Sequence, residues 1–206
     1  MKIGVIGAGH IGGTAAKLLA HAGHEVAVSN SRGPPSLATL VASIGRNARA
    51  ETPEGAAKFG AVVLLAIPWR KTEGLPSPEL FAGKIVIDAM NAYSGVGQVM
   101  DLGDRTSSGE VAKRMPKARL VKAFNTIYWK ALETRGQPAA PLEDRLAIFL
   151  AGDNPEAKAV VSKLIEEIGF APIDTGSLQE GGRRQEPGSP FYGRPLTARE
   201  ARNVPR

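Results

Sequence analysis

The residues with the clearest chemical potential open the chain. Gly7-Ala8-Gly9-His10-Ile11-Gly12 is a G-x-G-x-x-G pattern between an apolar run and a segment of small, helix-forming residues. In that setting Gly7 permits a tight turn, Gly9 lets the backbone approach a pyrophosphate, and Gly12 allows close packing of helix on strand. The helix N-terminus then turns its free N–H groups toward phosphate oxygens. His10 occupies a variable position of the pattern, and a backbone contribution with the ring in solvent accounts for it without proton transfer.

A dinucleotide site also needs a partner for the adenosine ribose, usually an acid at the end of the second strand. Here that position reads Ser29-Asn30-Ser31-Arg32-Gly33, without a carboxylate. Hydroxyls, an amide and a guanidinium suit a 2′-phosphate that a carboxylate would repel, so the loop predicts NADP rather than NAD. Arg32 is equally placed to stack on adenine.

Three later segments complete the candidate site, because ligands of an open parallel sheet lie in the crevice beyond the carboxyl ends of its strands. These are Ala66-Ile67-Pro68-Trp69, Met90-Asn91 and Ala123-Phe124-Asn125-Thr126. Their small apolar groups and amides suit a nicotinamide. For Asn91 and Asn125, turn capping is an equal reading, and Trp69 is either a lid or a packed aromatic.

Elements of regular structure must position these groups. Val/Ile/Leu/Ala-rich runs at Lys2 to Ala8, Glu25 to Asn30, Ala61 to Pro68, Lys84 to Asn91, Arg119 to Asn125, Arg145 to Gly152 and Phe170 to Asp174 read as strands, with a weaker one at Ala48 to Glu51. Helices are expected at Ile11 to Ala22, Pro35 to Ile44, before Pro116, and at Ala157 to Ile168 behind Asn154-Pro155. The alternation predicts an α/β fold: a Rossmann-type, doubly wound, mostly parallel sheet over residues 1–133 and a small C-terminal α/β extension over 142–206 packed on the same sheet. Tyr93 to Ser108 and Thr134 to Pro141 read as surface loops. From Gly181 the tail has too many breakers for regular structure until a short helix at Thr197 to Arg202.

Composition narrows the function classes. The 206 residues include no cysteine, which excludes disulfides, thiolate metal sites and a thiol nucleophile. That fits a reducing cytoplasm. No metal-ligand cluster or serine elbow stands out, and His21 and His24 at the first helix's end read as dipole compensation or solvation. No metal and no catalytic side chain are therefore expected. The sequence shows no export signal, and its longest apolar run, Ala61 to Ile67, is far short of the ~20 residues a membrane span needs. The formal charge is +6, but Gly181 to Arg206 carries six Arg against Glu186 and Glu200. The remainder is nearly neutral with few aromatics in the basic arm, which argues against nucleic acid.

The chain resembles the NADPH-dependent reductases of coenzyme F420, a deazaflavin, and the wider family of F420-dependent NADP oxidoreductase-like proteins. The likeness rests on Gly7-Ala-Gly-His-Ile-Gly12, Ser29-Asn-Ser-Arg-Gly33, Ala66-Ile-Pro-Trp69, Val121-Lys-Ala-Phe-Asn-Thr126 and the tail Gly182-Arg-Arg-Gln-Glu-Pro-Gly-Ser-Pro-Phe-Tyr-Gly193. It implies a homodimer and direct hydride transfer between nicotinamide and deazaflavin, with the protein acting by orientation and water exclusion. The expected partner is thus a small-molecule redox substrate.

Other readings share this site. A hydroxyacid dehydrogenase would need a longer helical substrate domain than the remaining residues supply. Reduction of a flavin, a quinone or a ferric chelate needs only the same bound NADPH, and a non-enzymatic NADP(H) sensor needs only the binding. The tail has two readings, a cover over the strand ends contacting substrate or a dimer mate through Arg183, Arg184, Phe191 and Tyr192, or a loose terminus.

Overall fold

A computed structural model describes residues 1–204. In chain order its strands are β1 (Lys2–Ile6), β2 (Glu25–Ser29), β3 (Ala48–Glu51), β4 (Val62–Leu65), β5 (Ile85–Asp88), β6 (Tyr93–Gly95), β7 (Gln98–Val99), β8 (Arg119–Ala123), β9 (Ala147–Gly152) and β10 (Ala171–Asp174). The helices are α1 (His10–His21), α2 (Ala38–Ile44), α3 (Pro53–Phe59), α4 (Ser107–Arg114), α5 (Trp129–Thr134), α6 (Pro155–Glu167), α7 (Glu180–Arg183) and α8 (Ala198–Arg202).

Among the described residues, one eight-stranded sheet runs β10-β9-β8-β5-β4-β1-β2-β3. All neighbours are parallel except β8 and β9, which pair antiparallel with Val121 opposite Gly152. The chain order reverses beside β1, so the mouth of the sheet opens where β1 separates β4 from β2.

Both faces are covered, as the nearly continuous apolar strands require. Ile3, Val5, Val28 and Leu64 pack with Leu19 of α1 and Leu164 of α6. On the opposite face, Ile6, Val63 and Leu65 meet Ala56 of α3, Phe81 and Val111 of α4. Several helix starts are written in side chains: Thr52 accepts from the Gly55 N–H, Thr106 from Gly109 and Asn154 from Ala157, while Thr197 and Glu200 form a capping box.

Three segments differ from expectation. The stretch after β5 is not all loop, because β6 and β7 form a small hairpin around Gly97 at φ 72°. Helix α5 follows β8 in a segment to which the sequence pattern assigns no element. The tail is docked and neither loose nor shapeless: α7 gives it one helical turn, Gln185 is fully buried, and Phe191 stacks on Phe149 of β9 at 4.3 Å.

What holds the tail down is a buried polar network. Lys122, fully buried in β8, donates to the Met90 carbonyl at 3.3 Å and to the Ser107 and Ser108 hydroxyls at 3.0 and 3.1 Å, with Asp88 Oδ2 at 3.9 Å. Ser108 also bonds Asp88, whose other oxygen accepts from the Met90 N–H at 3.0 Å. Glu186 of the tail accepts from the Ser107 N–H at 2.7 Å, placing a carboxylate on the first turn of α4. Burial pushes the Lys122 ammonium below its ordinary range, and the Asp88 and Glu186 carboxylates pull it back.

Removing one member of such a pair strands a charge in the interior. Lys122→Met is expected to lose about 3–5 kcal/mol of stability, and adding Asp88→Asn should restore part of it. Urea unfolding of the two variants beside the parent checks this; a double variant no better than the single would show that packing, not charge pairing, dominates.

Candidate functional site: the carboxyl edge of the sheet

The turn from β1 into α1 is the tightest place on this edge. Gly7 has φ 109°, where a side chain is strained, and an added Cβ would lie 2.4 Å from the Ala66 carbonyl oxygen. A Cβ on Gly12 would lie 1.8 Å from the Gly7 carbonyl oxygen. Both glycines are therefore demanded by the protein's own backbone. Gly9 is different: its φ of −77° and ψ of −165° suit any residue, and an added Cβ would meet no protein atom within 4 Å. The fold does not require a glycine there, and its backbone is open to the outside.

Gly9 is also the N-cap of α1, and no side chain caps this helix or places an acid in its first turn. The first N–H groups and the positive end of a twelve-residue helix thus face outward from the turn. Ala8 stands beside them at the mouth.

The loop after β2 forms the next wall. Ser29 does not contribute its hydroxyl, because that group is buried and donates to the Val5 carbonyl at 3.0 Å. Asn30 shapes the loop: its Oδ1 accepts from the Arg32 N–H at 2.9 Å and its Nδ2 donates to Ser36 at 2.9 Å. This Asx-type turn leaves Ser31 and Arg32 exposed at the rim.

Between these walls lies a cleft of about 510 Å³ that brings together Gly7, Ala8 and Gly9, Asn30 to Arg32, and Ala66 to Pro68. Pro53 and Leu75 add apolar surface. Lys71, on the turn after β4, lines the same cleft, and no Asp or Glu does. Sequence reasoning missed Lys71; its signal was a cation shortly beyond the Ala66-Ile67-Pro68-Trp69 segment. Trp69 is outside the cleft, half-buried in the lower core, and donates to the Ser107 carbonyl at 3.3 Å, which anchors the turn that carries Lys71.

The remaining candidates lie elsewhere. Ile11 packs its side chain toward the core, and Ala123 is buried inside the sheet. His10 is exposed, and one face of its ring stacks on Trp129 of α5 at 4.3 Å with the planes 13° apart. His24 is buried and meets Glu167 at 2.9 Å, tying the start of β2 to the end of α6.

Asn91 and Asn125 form a second cluster along the edge. Asn125 Nδ2 donates to Asn91 Oδ1 at 3.0 Å and to the Gln185 carbonyl at 2.7 Å, and Asn91 Nδ2 donates to the Asn125 carbonyl at 3.0 Å. The Tyr93 and Tyr192 hydroxyls meet at 2.9 Å beside them. Burial and the hydrogen bond with Tyr93 push the Tyr192 phenol above its ordinary range. Phe124, between Ala123 and Asn125, has φ 67°, a strained value for a bulky residue at the point where the chain leaves β8. Among the described residues no group of three metal-ligating side chains occurs, and no helix is long and apolar enough to cross a membrane.

Comparison with known proteins accords with this geometry. Residues 2–92 match the family model described as NADP oxidoreductase, coenzyme F420-dependent. A hypothetical protein of Sinorhizobium meliloti is 31% identical in a solved structure, covering 96% of this chain and 95% of that one with a TM-score of 0.84. The proposed F420-dependent NADP-reductase of an Arthrobacter species is 25% identical over 86% of each chain, with a TM-score of 0.75. The metalloreductase STEAP3 of Rattus norvegicus is 32% identical over 86% of this chain. The chain spans 34% of the length of the curated relatives it matches. With the glycine turn, the mostly parallel sheet and these likenesses together, residues 2–92 belong to the family of NADP oxidoreductases described as coenzyme F420-dependent.

Proposed function

We propose that the chain holds NADP(H) across the Gly7–Gly12 turn and exchanges a hydride between it and a deazaflavin, coenzyme F420. The observation that supports the binding is the unequal demand for the three glycines: two are required by the fold, and at Gly9 the backbone is open, with room for a ligand against it. The chemistry of the cleft agrees, because two cations and no carboxylate suit a 2′-phosphate.

In this reading the first-turn N–H groups of α1 hold the pyrophosphate, Ser31, Arg32 and Lys71 hold the 2′-phosphate, and Pro53, Ile67 and Leu75 flank the adenine. Asn91 and Asn125 stand on the side of the nicotinamide. NADPH when bound supplies the hydride itself. The protein orients and excludes water, and no acid, base or metal of the chain is needed.

The family description and the name of the Arthrobacter relative support F420 as acceptor. The likeness to a metalloreductase over most of this chain supports a second reading, in which the same bound NADPH reduces a flavin or a ferric chelate. The cytoplasmic homodimer implied by the family belongs to the first reading, and sedimentation of the purified protein tests the dimer.

Three outcomes are expected. Gly9→Val should unfold like the parent yet lose at least ~100-fold in NADPH affinity, while Gly12→Ala should lose stability; titration calorimetry and thermal melts read the two separately, and unchanged affinity in Gly9→Val would reject the phosphate site. Arg32→Ala and Lys71→Ala should each weaken NADPH by about tenfold, the scale of one charge-assisted hydrogen bond, while leaving NADH unchanged. Equal losses for both nucleotides would remove the 2′-phosphate role. Offered F420, FMN, a quinone and a ferric chelate in parallel, the protein should oxidise NADPH with F420, followed by nicotinamide absorbance; turnover with the chelate alone would select the second reading.

A further inference from the structure

A second cavity lies on the same edge of the sheet, past the strained exit of β8. It encloses about 320 Å³ and is built from four separate segments: Thr126 to Tyr128, the α5 turn with Ala131 and Arg135, the start of β9 at Leu146 and Ala147, and the tail at Gly193 to Pro195. The tail closes it, since the Gly193 N–H donates to the Thr126 carbonyl at 3.0 Å.

Its chemistry is uneven. Ile127, Leu146 and Pro195 supply apolar wall, and Tyr128, 59% exposed, adds an aromatic face. Two guanidinium groups, Arg135 and Arg194, line it, and no acidic side chain does. Neither arginine forms an ion pair among the described residues; Arg194 donates to the Pro190 carbonyl at 3.3 Å, and Glu200, whose carboxyl is lowered chiefly by hydrogen bonds from Thr197, feels its charge only as a lesser contribution. The Arg135 guanidinium has no hydrogen-bond or ion-pair partner among the described residues.

Ring contacts run from the glycine turn to one wall of the cavity. His10, next to Gly9, stacks on Trp129, and Trp129 packs against Tyr128 with ring centres 5.9 Å apart. A line of aromatic rings therefore leads from the phosphate turn to the cavity wall.

We propose that this cavity is the second-substrate site, and that the molecule it takes is a planar or apolar body carrying a carboxylate or a phosphate, with the body against Tyr128 and the anion between Arg135 and Arg194. Apolar wall fixes the body by burial, and the paired guanidinium groups select for charge by bidentate hydrogen bonding. Its meaning as the acceptor site rests on the reductase reading above, whereas its binding preference does not.

The test uses three probes with one ring system: neutral riboflavin, FMN with a phosphate, and a carboxymethylflavin with a carboxylate. Flavin fluorescence on titration with the full chain gives each affinity, and NADPH affinity is measured on the same preparations. The parent should bind one or both anionic flavins at least about tenfold tighter than riboflavin, with the gap shrinking in added salt. Which of the two is preferred tells phosphate from carboxylate. Arg135→Ala and Arg194→Ala should erase the gap while leaving riboflavin and NADPH affinities as they were, and Arg135→Lys should keep most of it. No flavin binding, no preference in the parent, or equal losses for all three flavins would overturn the proposal. Failure of NADPH to bind while the preference persists would instead remove only the reductase reading.

Discussion

The contact that the rest of the molecule depends on is backbone against backbone, where α1 leaves β1. The Gly7 carbonyl oxygen occupies the space that a side chain on Gly12 would need, and the Ala66 carbonyl does the same for Gly7. Only with both side chains absent do helix, first strand and fourth strand converge at one point. That convergence aims the N-terminus of α1 at the crevice and brings the loops after β2 and β4 within one cleft.

A second constraint acts farther along the edge. The buried Lys122 and Asp88 sit in neighbouring strands β8 and β5, and both hold the backbone of Met90, Asp88 from its N–H and Lys122 from its carbonyl. Asn91 follows directly, and its amide is locked to Asn125 and through it to Gln185 of the tail. The charge inside the sheet thus fixes the direction of the strand ends above it. An ion pair so placed adds little net stability compared with apolar packing, and above it Asn125 Oδ1 and Gln185 Oε1 are buried without a hydrogen-bond partner among the described residues.

Local signals were legible, and non-local ones were not. The glycine turn, the acid-free loop after β2 and the helix α6 capped by Asn154 each lie in a few consecutive residues, and the structure places them where the pattern indicated. Ser29 was misread because β2 is buried on both faces, so no alternation of polar and apolar residues reports which way its last side chain points. Lys71 enters the cleft through a turn held by Trp69 and Ser107, a contact between distant segments. The tail was the largest gap: its glycines and prolines forbid long helices, yet its burial comes from side chains meeting β8, α4 and β9. Lys122, a cation in the middle of an apolar strand, was the signal that something polar had to cover it.

The closing of that interior has a consequence for how the chain is made. Glu186 and Gln185, which seal the space above Lys122 and Asn125, leave the ribosome long after the strands they cover. Until then the sheet carries an open seam of charge and amide groups, wet on one side. The hydrogen bonds of the carboxyl edge to Glu186 and Gln185 therefore cannot be complete before the tail has been made.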